Sequence, residues 1–517
     1  MSSYYVFLPE TVLVITGLAS VVLGFAWWKR PAALWGLAMA GTLVAIFLTI
    51  DMMGLGVSTA LNLSLWPSPV GNQGDFSSEL KMNVDLFALF FHLIFLFVAF
   101  LAILASRGYI RADEPHQGEY YGLMLLAVVG MMFTAAATDL FILFLAFETS
   151  SISTFALVAF RKKDKESTEA AVKFFIIGAV SSAIILFGIS LVYGVAGTTD
   201  LYALKADLGK ALPSMEPPLI VALVLLIAGF GFKAAVVPFH MWAPDVYQGS
   251  PTTISMFLAA GSKKLGVVAL FRVFLIGLLA IQVDWVAAMA ILAIATQTVG
   301  NVLAIPQRSV KRMLAYSSIA QVGYIMIALP VGALAFQAVS PTDAVMGVAA
   351  FAMLGALLHV MTHAAMKGGA FLVVAGTQSE GIADDMDAYR GLSKRMPFLA
   401  FSMTIILLSL AGIPPLAGFF SKFVLFSSAI NAMSYNPWFL ALAVSGVLNS
   451  ALSLYYYARV IWYMYILEPQ GDVVKVSAPR SINAGVLLTL IVVIGFVFFA
   501  SFFLSFLQTA ARVFFGV

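Results

Sequence analysis

Apolar runs of about 20 residues follow one another along nearly the whole chain. They extend from VFLPETVLVITGLASVVLGFAWW near the start to VLLTLIVVIGFVFFASFFLSFL near the end. No other feature limits the fold as strongly. A run of that length matches the thickness of bilayer hydrocarbon as a helix. In lipid every backbone donor and acceptor must be satisfied within its own segment, which a helix does and a lone strand does not. The chain is 62% hydrophobic and 10% charged, against about 25% charged in soluble domains. The expected class is an all-α polytopic membrane protein built as one helical bundle.

Three function classes fall away at once. A net charge of +3, dispersed along 517 residues, gives no footprint for nucleic acid. The absence of cysteine excludes disulfides, cysteine-ligated iron–sulfur clusters and CxxC redox chemistry. No GxGxxG follows a strand pattern and no GxxxxGK[ST] occurs, so the chain shows no nucleotide or flavin cradle. The first run lacks a basic flank and a cleavage site, and reads as the first span rather than a removed signal.

Fourteen spans are predicted, near 6–28, 31–53, 84–106, 119–137, 138–160, 169–197, 217–244, 252–277, 284–304, 310–332, 345–376, 397–427, 437–466 and 482–511. The odd-numbered loops carry Lys29, Arg30, Arg107, Arg111, Arg161, Lys162, Lys163, Lys165, Arg308, Lys311, Arg312, Arg390, Lys394, Arg395, Lys475 and Arg480, more than half of the 28 Lys+Arg. The even-numbered loops hold Lys81, Lys205 and Lys210. The positive-inside rule then places the odd loops in the cytoplasm and both termini outside.

Two spans are interrupted by proline. One contains GFKAAVVPFHMWAPDV, with Lys233 and Pro238; the other contains LLSLAGIPPLAGFFSKF, with Gly412, Pro414, Pro415 and Lys422. Proline removes a backbone donor and breaks the helix, and in lipid the freed groups need protein or a water-lined cavity. Breaks in the seventh and twelfth spans mark equivalent places in two inverted five-helix repeats, spans 4–8 and 9–13, a transporter pattern. The expected divisions are 1–117, 118–280, 281–468 and 469–517.

A charge at the centre of a membrane helix costs at least about 2.5–3.5 kcal/mol, so a chain that keeps several uses them. Arg272 and Arg459 lie near span ends and read as snorkelling side chains. Lys233, Lys263, Lys367 and Lys422 have long apolar flanks and do not. Glu148, deep in FILFLAFETSSIS, needs a cation or a proton. Lys173 follows Glu169 by four residues, so it is either a local ion pair or a path residue. Lysine suits proton work because its affinity for a proton shifts readily, unlike that of arginine. His359, His363 and Lys367 in HVMTHAAMKGG stand on one helix face, a spacing that suits a proton relay. A metal site there lacks acidic partners, and two histidines on one helix are poorly placed as axial haem ligands. His240, directly after the broken helix, reads as a packing or entry group at the cytoplasmic end and His92, alone on an apolar span, as a satisfied structural histidine.

The motifs FKAAVVPFHMWAPDVYQGSPTT, FLAAGSKKLG, QRSVKRMLAYSSIAQVGYIMIAL and LLSLAGIPPLAGFFSKF together resemble the antiporter-like membrane subunits of respiratory complex I. That superfamily includes Mrp-type cation/proton antiporters and membrane-bound hydrogenases. Lys422, YRGLSKRMP and NSALSLYYYARVIWYMY, with no long lateral helix after the fourteenth span, are most similar to subunit N. The resemblance implies a proton-translocating subunit of a redox-driven quinone or methanophenazine oxidoreductase, with an Mrp-type antiporter subunit as the other reading. It implies a hydrated polar axis of Glu148, Lys173, Lys233, Lys263 and Lys422, with Glu148 paired to Lys233. It implies no cofactor in this chain; flavin, iron–sulfur clusters and quinone would belong to partner subunits. Its neighbours would be subunit M and small K, J or A-type subunits in a prokaryotic energy-converting membrane, with lipid around them. The His359–His363–Lys367 row is more typical of L, M and Mrp subunits. That departure points to a divergent or archaeal lineage, whose donor would be a reduced deazaflavin or ferredoxin rather than NADH.

Overall fold

The computed structural model describes residues 4–27, 30–55, 81–111, 114–208, 216–336, 343–469 and 473–516. Lys29 and Lys210, used above for orientation, lie outside the described residues. Within the described residues the chain is helical and forms no β-strand.

The helices are α1 (Leu8–Ala26), α2 (Pro31–Ile50), α3 (Leu86–Tyr109), α4 (Gln117–Ala136), α5 (Leu140–Val158) and α6 (Lys165–Ala196). The seventh is split into α7a (Glu216–Ala234) and α7b (Trp242–Gly249). There follow α8 (Thr252–Gly277), α9 (Gln282–Ala304), α10 (Val310–Ile325) and α11 (Asp343–Ser379). The twelfth is split into α12a (Pro397–Ala411) and α12b (Ala417–Ala432), before α13 (Phe439–Tyr465) and α14 (Arg480–Phe515). Thirteen helices among the described residues are long and apolar enough to cross a membrane; the split α12 is too short in either piece. Taken together, its two pieces make the fourteenth.

Short acidic or hydroxyl side chains start several helices. Asp85 accepts from the Ala88 amide at 2.7 Å, Asp139 from Phe141 at 2.8 Å, Asp164 from Glu166 at 3.0 Å and Ser309 from Arg312 at 3.0 Å. Each satisfies an amide that the helix itself leaves free.

Burial sorts the helices. α8 is wholly buried, and α3 and α10 are nearly so. α1, α6 and α14 bury only about a third of their length and present Phe25, Phe187 and Phe498 outward. This apolar exterior is what lipid requires, since between lipid and a leucine there is no hydrophobic preference. The polar residues are therefore concentrated at the centre, on α5, α7a, α8, α10, α11 and α12b. α8 carries a π-helical stretch, Leu258–Ser262, directly before Lys263. Such widened turns recur at functional sites.

Candidate functional site: a buried row of lysines and histidines

The first helix break sets the position of Lys233. α7a ends at Ala234, and Ala235 takes the left-handed conformation, φ +57°. The Val236 amide donates back to the Gly231 carbonyl at 2.8 Å. The Val237 amide donates to Thr296 Oγ1 on α9 at 3.1 Å, and Trp242 Nε1 donates to the Phe232 carbonyl at 2.8 Å. Several of the backbone groups freed at this break are thus met by protein, as the bilayer demands. Gly266 on α8 lies against this turn; a Cβ there would stand 2.4 Å from the Ala234 nitrogen.

Lys233 is 1% exposed. Its ammonium donates to Ser151 Oγ and Thr154 Oγ1 on α5, each at 3.2 Å. It also sits 5.6 and 5.3 Å from the ring centres of Phe155 and Phe174. Glu148, one turn before Ser151, is half-buried and accepts from Ser182 Oγ on α6 at 2.6 Å. The two charges lie within electrostatic range, but Lys233 is held by the hydroxyls and makes no ion pair with Glu148. The expected partners share one site in an open arrangement.

The second break repeats the first. Gly412, φ +91°, stands where Ala235 stood, and the Ile413 amide donates to the Leu408 carbonyl at 3.0 Å. Pro415 follows Gly412 at the same spacing as Pro238 follows Ala235. The lysines are not equivalent, however: Lys233 precedes its break and Lys422 follows its own. Lys422 reaches back, donating to the Leu410 carbonyl at 2.7 Å and to Ser450 Oγ at 2.8 Å. Its ammonium lies 4.9 Å from the Tyr324 ring centre.

Between the two breaks lie the remaining cations. Lys263 is buried, 5.2 Å from the Tyr247 ring centre, and has no hydrogen-bond partner among the described residues. The adjacent Lys264 is also buried and donates to the Ala259 carbonyl at 3.0 Å, within the π-helical turn. His359 bonds Gln321 Oε1 at 2.8 Å and Ser421 Oγ at 3.0 Å. His363 packs its ring 6.1 Å from that of His359, and neither of its nitrogens has a partner among the described residues. Lys367 donates to Ser317 Oγ at 2.7 Å and to the Leu314 carbonyl at 3.0 Å. His359, His363 and Lys367 are all fully buried.

These groups form one electrostatic unit. His363 lies in range of Lys263, Lys264 and Lys367, and His359 in range of Lys264 and Lys422. A direct chain of contacts joins one end: Gln321 Nε2 approaches the same Leu410 carbonyl, at 3.4 Å, that accepts from Lys422, and Gln321 Oε1 meets His359. Chemically the row can hold and pass protons. It has amines and imidazoles that change charge, hydroxyls and an amide that both donate and accept, and walls that exclude bulk water.

Lys173 stands apart. It is 44% exposed and pairs with Glu169 at 2.7 Å and Asp245 at 2.9 Å; Asp245 in turn meets Arg312 at 2.6 Å. Arg272 does not snorkel. It is fully buried, held by Asp85 through both terminal nitrogens at 2.9 and 2.8 Å. Arg459 donates to the Ile305 and Gln307 carbonyls and so caps the end of α9. Lys264 and Gln321 are the members that motif reading passed over. Lys264 was visible as the second residue of a lysine pair, whereas Gln321 had no signal beyond polarity within an apolar span.

The family described as NADH:quinone oxidoreductase/Mrp antiporter, TM, matches residues 137–452, which hold all of these lysines and histidines. The chain belongs to that family. It is 46% identical over 490 residues to F(420)H(2) dehydrogenase subunit N of Methanosarcina mazei, covering 93% of this chain and 92% of the relative. It is 38% identical to NADH-quinone oxidoreductase subunit N of Trichlorobacter lovleyi over 92% and 90% of the two chains. Among solved structures it is similar to a chain of respiratory complex I from Thermus thermophilus, TM-score 0.75 at 28% identity, covering 96% of this chain and 99% of that one. It is also similar to a chain of an archaeal membrane-bound sulfane sulfur reductase, TM-score 0.81 at 26% identity, over 99% and 97%. A chain of the Mrp complex from Dietzia sp. shares the fold at 18% identity, TM-score 0.77, over 100% and 98%.

Proposed function

We propose that the chain is the N-type, proton-translocating membrane subunit of a redox-driven oxidoreductase complex. The observation that carries this reading is the buried row of Lys263, Lys264, His363, His359 and Lys422, with Lys233 buried at the first of two matching helix breaks. Electron transfer belongs to partner subunits, with their flavin, iron–sulfur clusters and quinone or methanophenazine. This chain holds and moves protons. Its neighbours are a subunit M-like chain and small K, J or A-type chains in a prokaryotic energy-converting membrane, with both termini on the outer side. Likeness to an F(420)H(2) dehydrogenase subunit favours a reduced deazaflavin as the donor to the complex.

The mechanism follows from the open pair. When the Lys233 ammonium leaves Ser151 and Thr154 for Glu148, the carboxylate stabilises its charge and the lysine keeps its proton. When it returns to the neutral hydroxyls, the charge loses that support and the proton passes inward. Lys263 and His363, which lack hydrogen-bond partners among the described residues, receive and forward it through bridging water, and His359 and Gln321 connect to Lys422. Lys367 on Ser317 flanks this route. Residues 118–280 and 281–468 act as inverted halves around it, with 1–117 and 469–517 as frame. Lys173 holds the cytoplasmic mouth near Asp245.

An antiporter without redox coupling shares the family, the fold and the His359–His363–Lys367 row, but the relatives of 38–46% identity are oxidoreductase N subunits. The deciding experiment is Lys233→Ala in the assembled complex. Electron transfer should persist while protons moved per electron fall. Parental stoichiometry in that variant overturns the role of Lys233, and parental stoichiometry in Lys263→Ala and Lys422→Ala as well overturns the row.

A further inference from the structure

A second pair of buried titratable groups lies outside this row. Glu10, near the start of α1, and His92, on α3, are each 1% exposed, with Nδ1 of the histidine 3.4 Å from Oε1 of the glutamate. Among the described residues, neither Glu10 oxygen and not Nδ1 has any other hydrogen-bond partner. The other ring nitrogen, Nε2, lies 3.0 Å from the carbonyl oxygen of Met132 on α4. The charge in range of His92 is Arg272, which Asp85 neutralises at 2.8 Å. All of this sits at the ends of α1 and α3 opposite the basic loop residues Arg30 and Arg107.

The donors and acceptors leave one arrangement. A carbonyl oxygen only accepts, so Nε2 must carry a hydrogen. In a neutral imidazole Nδ1 is then a bare acceptor. An ionised Glu10 is also acceptor-only. Two acceptors would face each other across 3.4 Å in a buried site, with a net negative charge that no described residue other than His92 pairs with. One proton removes both faults. Placed on Glu10 it is donated to Nδ1; placed on Nδ1 it makes an imidazolium beside a carboxylate. Either form is net neutral and satisfies the contact.

We infer that Glu10 and His92 form a one-proton site, occupied in the folded protein and separate from the central lysine–histidine row. The inference rests on the geometry of this pair and stands whether or not the row translocates protons. Motif reading took His92 for a structural histidine and passed over Glu10, in the LPETVL start of the first span.

The test compares infrared spectra and 15N-histidine magnetic resonance of the full chain in lipid, parent against Glu10→Gln. Glutamine keeps the shape, and its amide donates to Nδ1, so folding should survive. The variant should lose either one protonated-carboxyl C=O band or one imidazolium signal, according to where the proton sits. A variant that changes neither overturns the site. Should Glu10→Gln fail to fold, His92→Asn serves: a carboxyl that shared its proton with Nδ1 must shift its C=O band or newly gain one, and a spectrum identical to the parent's overturns the proposal equally.

Discussion

Lys422 donates its ammonium to the carbonyl of Leu410 at 2.7 Å, across the break that separates α12a from α12b. The residue at the end of the row therefore also satisfies the backbone that the break exposes. The two duties can be separated. Lys422→Met leaves the Leu410 carbonyl only the 3.4 Å contact with Gln321 and takes one donor from Ser450, a loss of roughly 1–3 kcal/mol for a buried acceptor left poorly satisfied. Thermal unfolding in detergent should move down accordingly. Lys422→Arg keeps the donors but fixes the charge, because arginine does not release its proton. It should unfold within a few degrees of the parent and yet move fewer protons per electron. If both variants unfold like the parent, the ammonium is not holding the break.

The open arrangement of Glu148 and Lys233 makes a prediction about coupling. Ser151→Ala with Thr154→Ala removes the hydroxyls that hold the ammonium. Lys233 should then swing to Glu148 and recover part of the loss. The same double change in a Glu148→Gln background offers no such refuge. A thermodynamic cycle over the three changes should give a coupling of about 0.5–3 kcal/mol, the range for residues sharing one network. A coupling indistinguishable from zero would mean that the lysine does not exchange between the two partners.

Gly266 sets how closely α8 approaches the first break. A methyl group there would stand 2.4 Å from the Ala234 nitrogen, which is backbone and cannot rotate aside. Gly266→Ala should destabilise by about 1–3 kcal/mol through this overpacking. Gly36→Ala is the control, since nothing lies within 4 Å of its added Cβ, and alanine in a helix gains roughly 0.5–1 kcal/mol over glycine. Unfolding that moves the same way in both would show that the contact with Ala234 is not tight.

How much of this was legible in the sequence depends on the physics of each feature. The spans were, because hydrocarbon thickness imposes a length and lipid forbids internal charge. Both breaks were, since Pro238 and Pro415 are visible breakers, and Ala235 alone disguised the left-handed turn that Gly412 announces. The deep charges Lys233, Lys263, Lys367 and Lys422 were, because each is costly where it stands. Partner choice was not. That Lys233 rests on Ser151 and Thr154 while Glu148 takes Ser182 depends on how three helices rotate against each other. Nor does spacing show that Lys173 turns outward, because a residue four after Glu169 suits an exposed ion pair and a path residue equally. Gln321 and Glu10 gain their meaning only from what folds against them.

The network at the end of α7b carries a prediction for pH and salt. Asp245, outside the spans, receives Lys173 on one oxygen at 2.9 Å and Arg312 on the other at 2.6 Å. Partial burial alone would raise its affinity for a proton, but the hydrogen bonds from Arg312 and Lys173 outweigh this and hold the carboxyl below its ordinary value. A folded-state value below the unfolded one, about 3.9 for aspartate, means that the pair's stability is complete above that pH. It is lost as pH falls through the lower folded value. Near neutral pH the network should therefore be insensitive to pH and sensitive to salt, because its members are partly exposed and screened. Asp245→Asn removes the shared anion between α6 and α10. Its deficit in unfolding temperature should be clear at low salt near neutral pH, shrink at about 1 M salt, where screening acts over about 3 Å, and vanish in strong acid. A deficit that persists unchanged through acid and salt would mean that Asp245 acts through packing rather than charge.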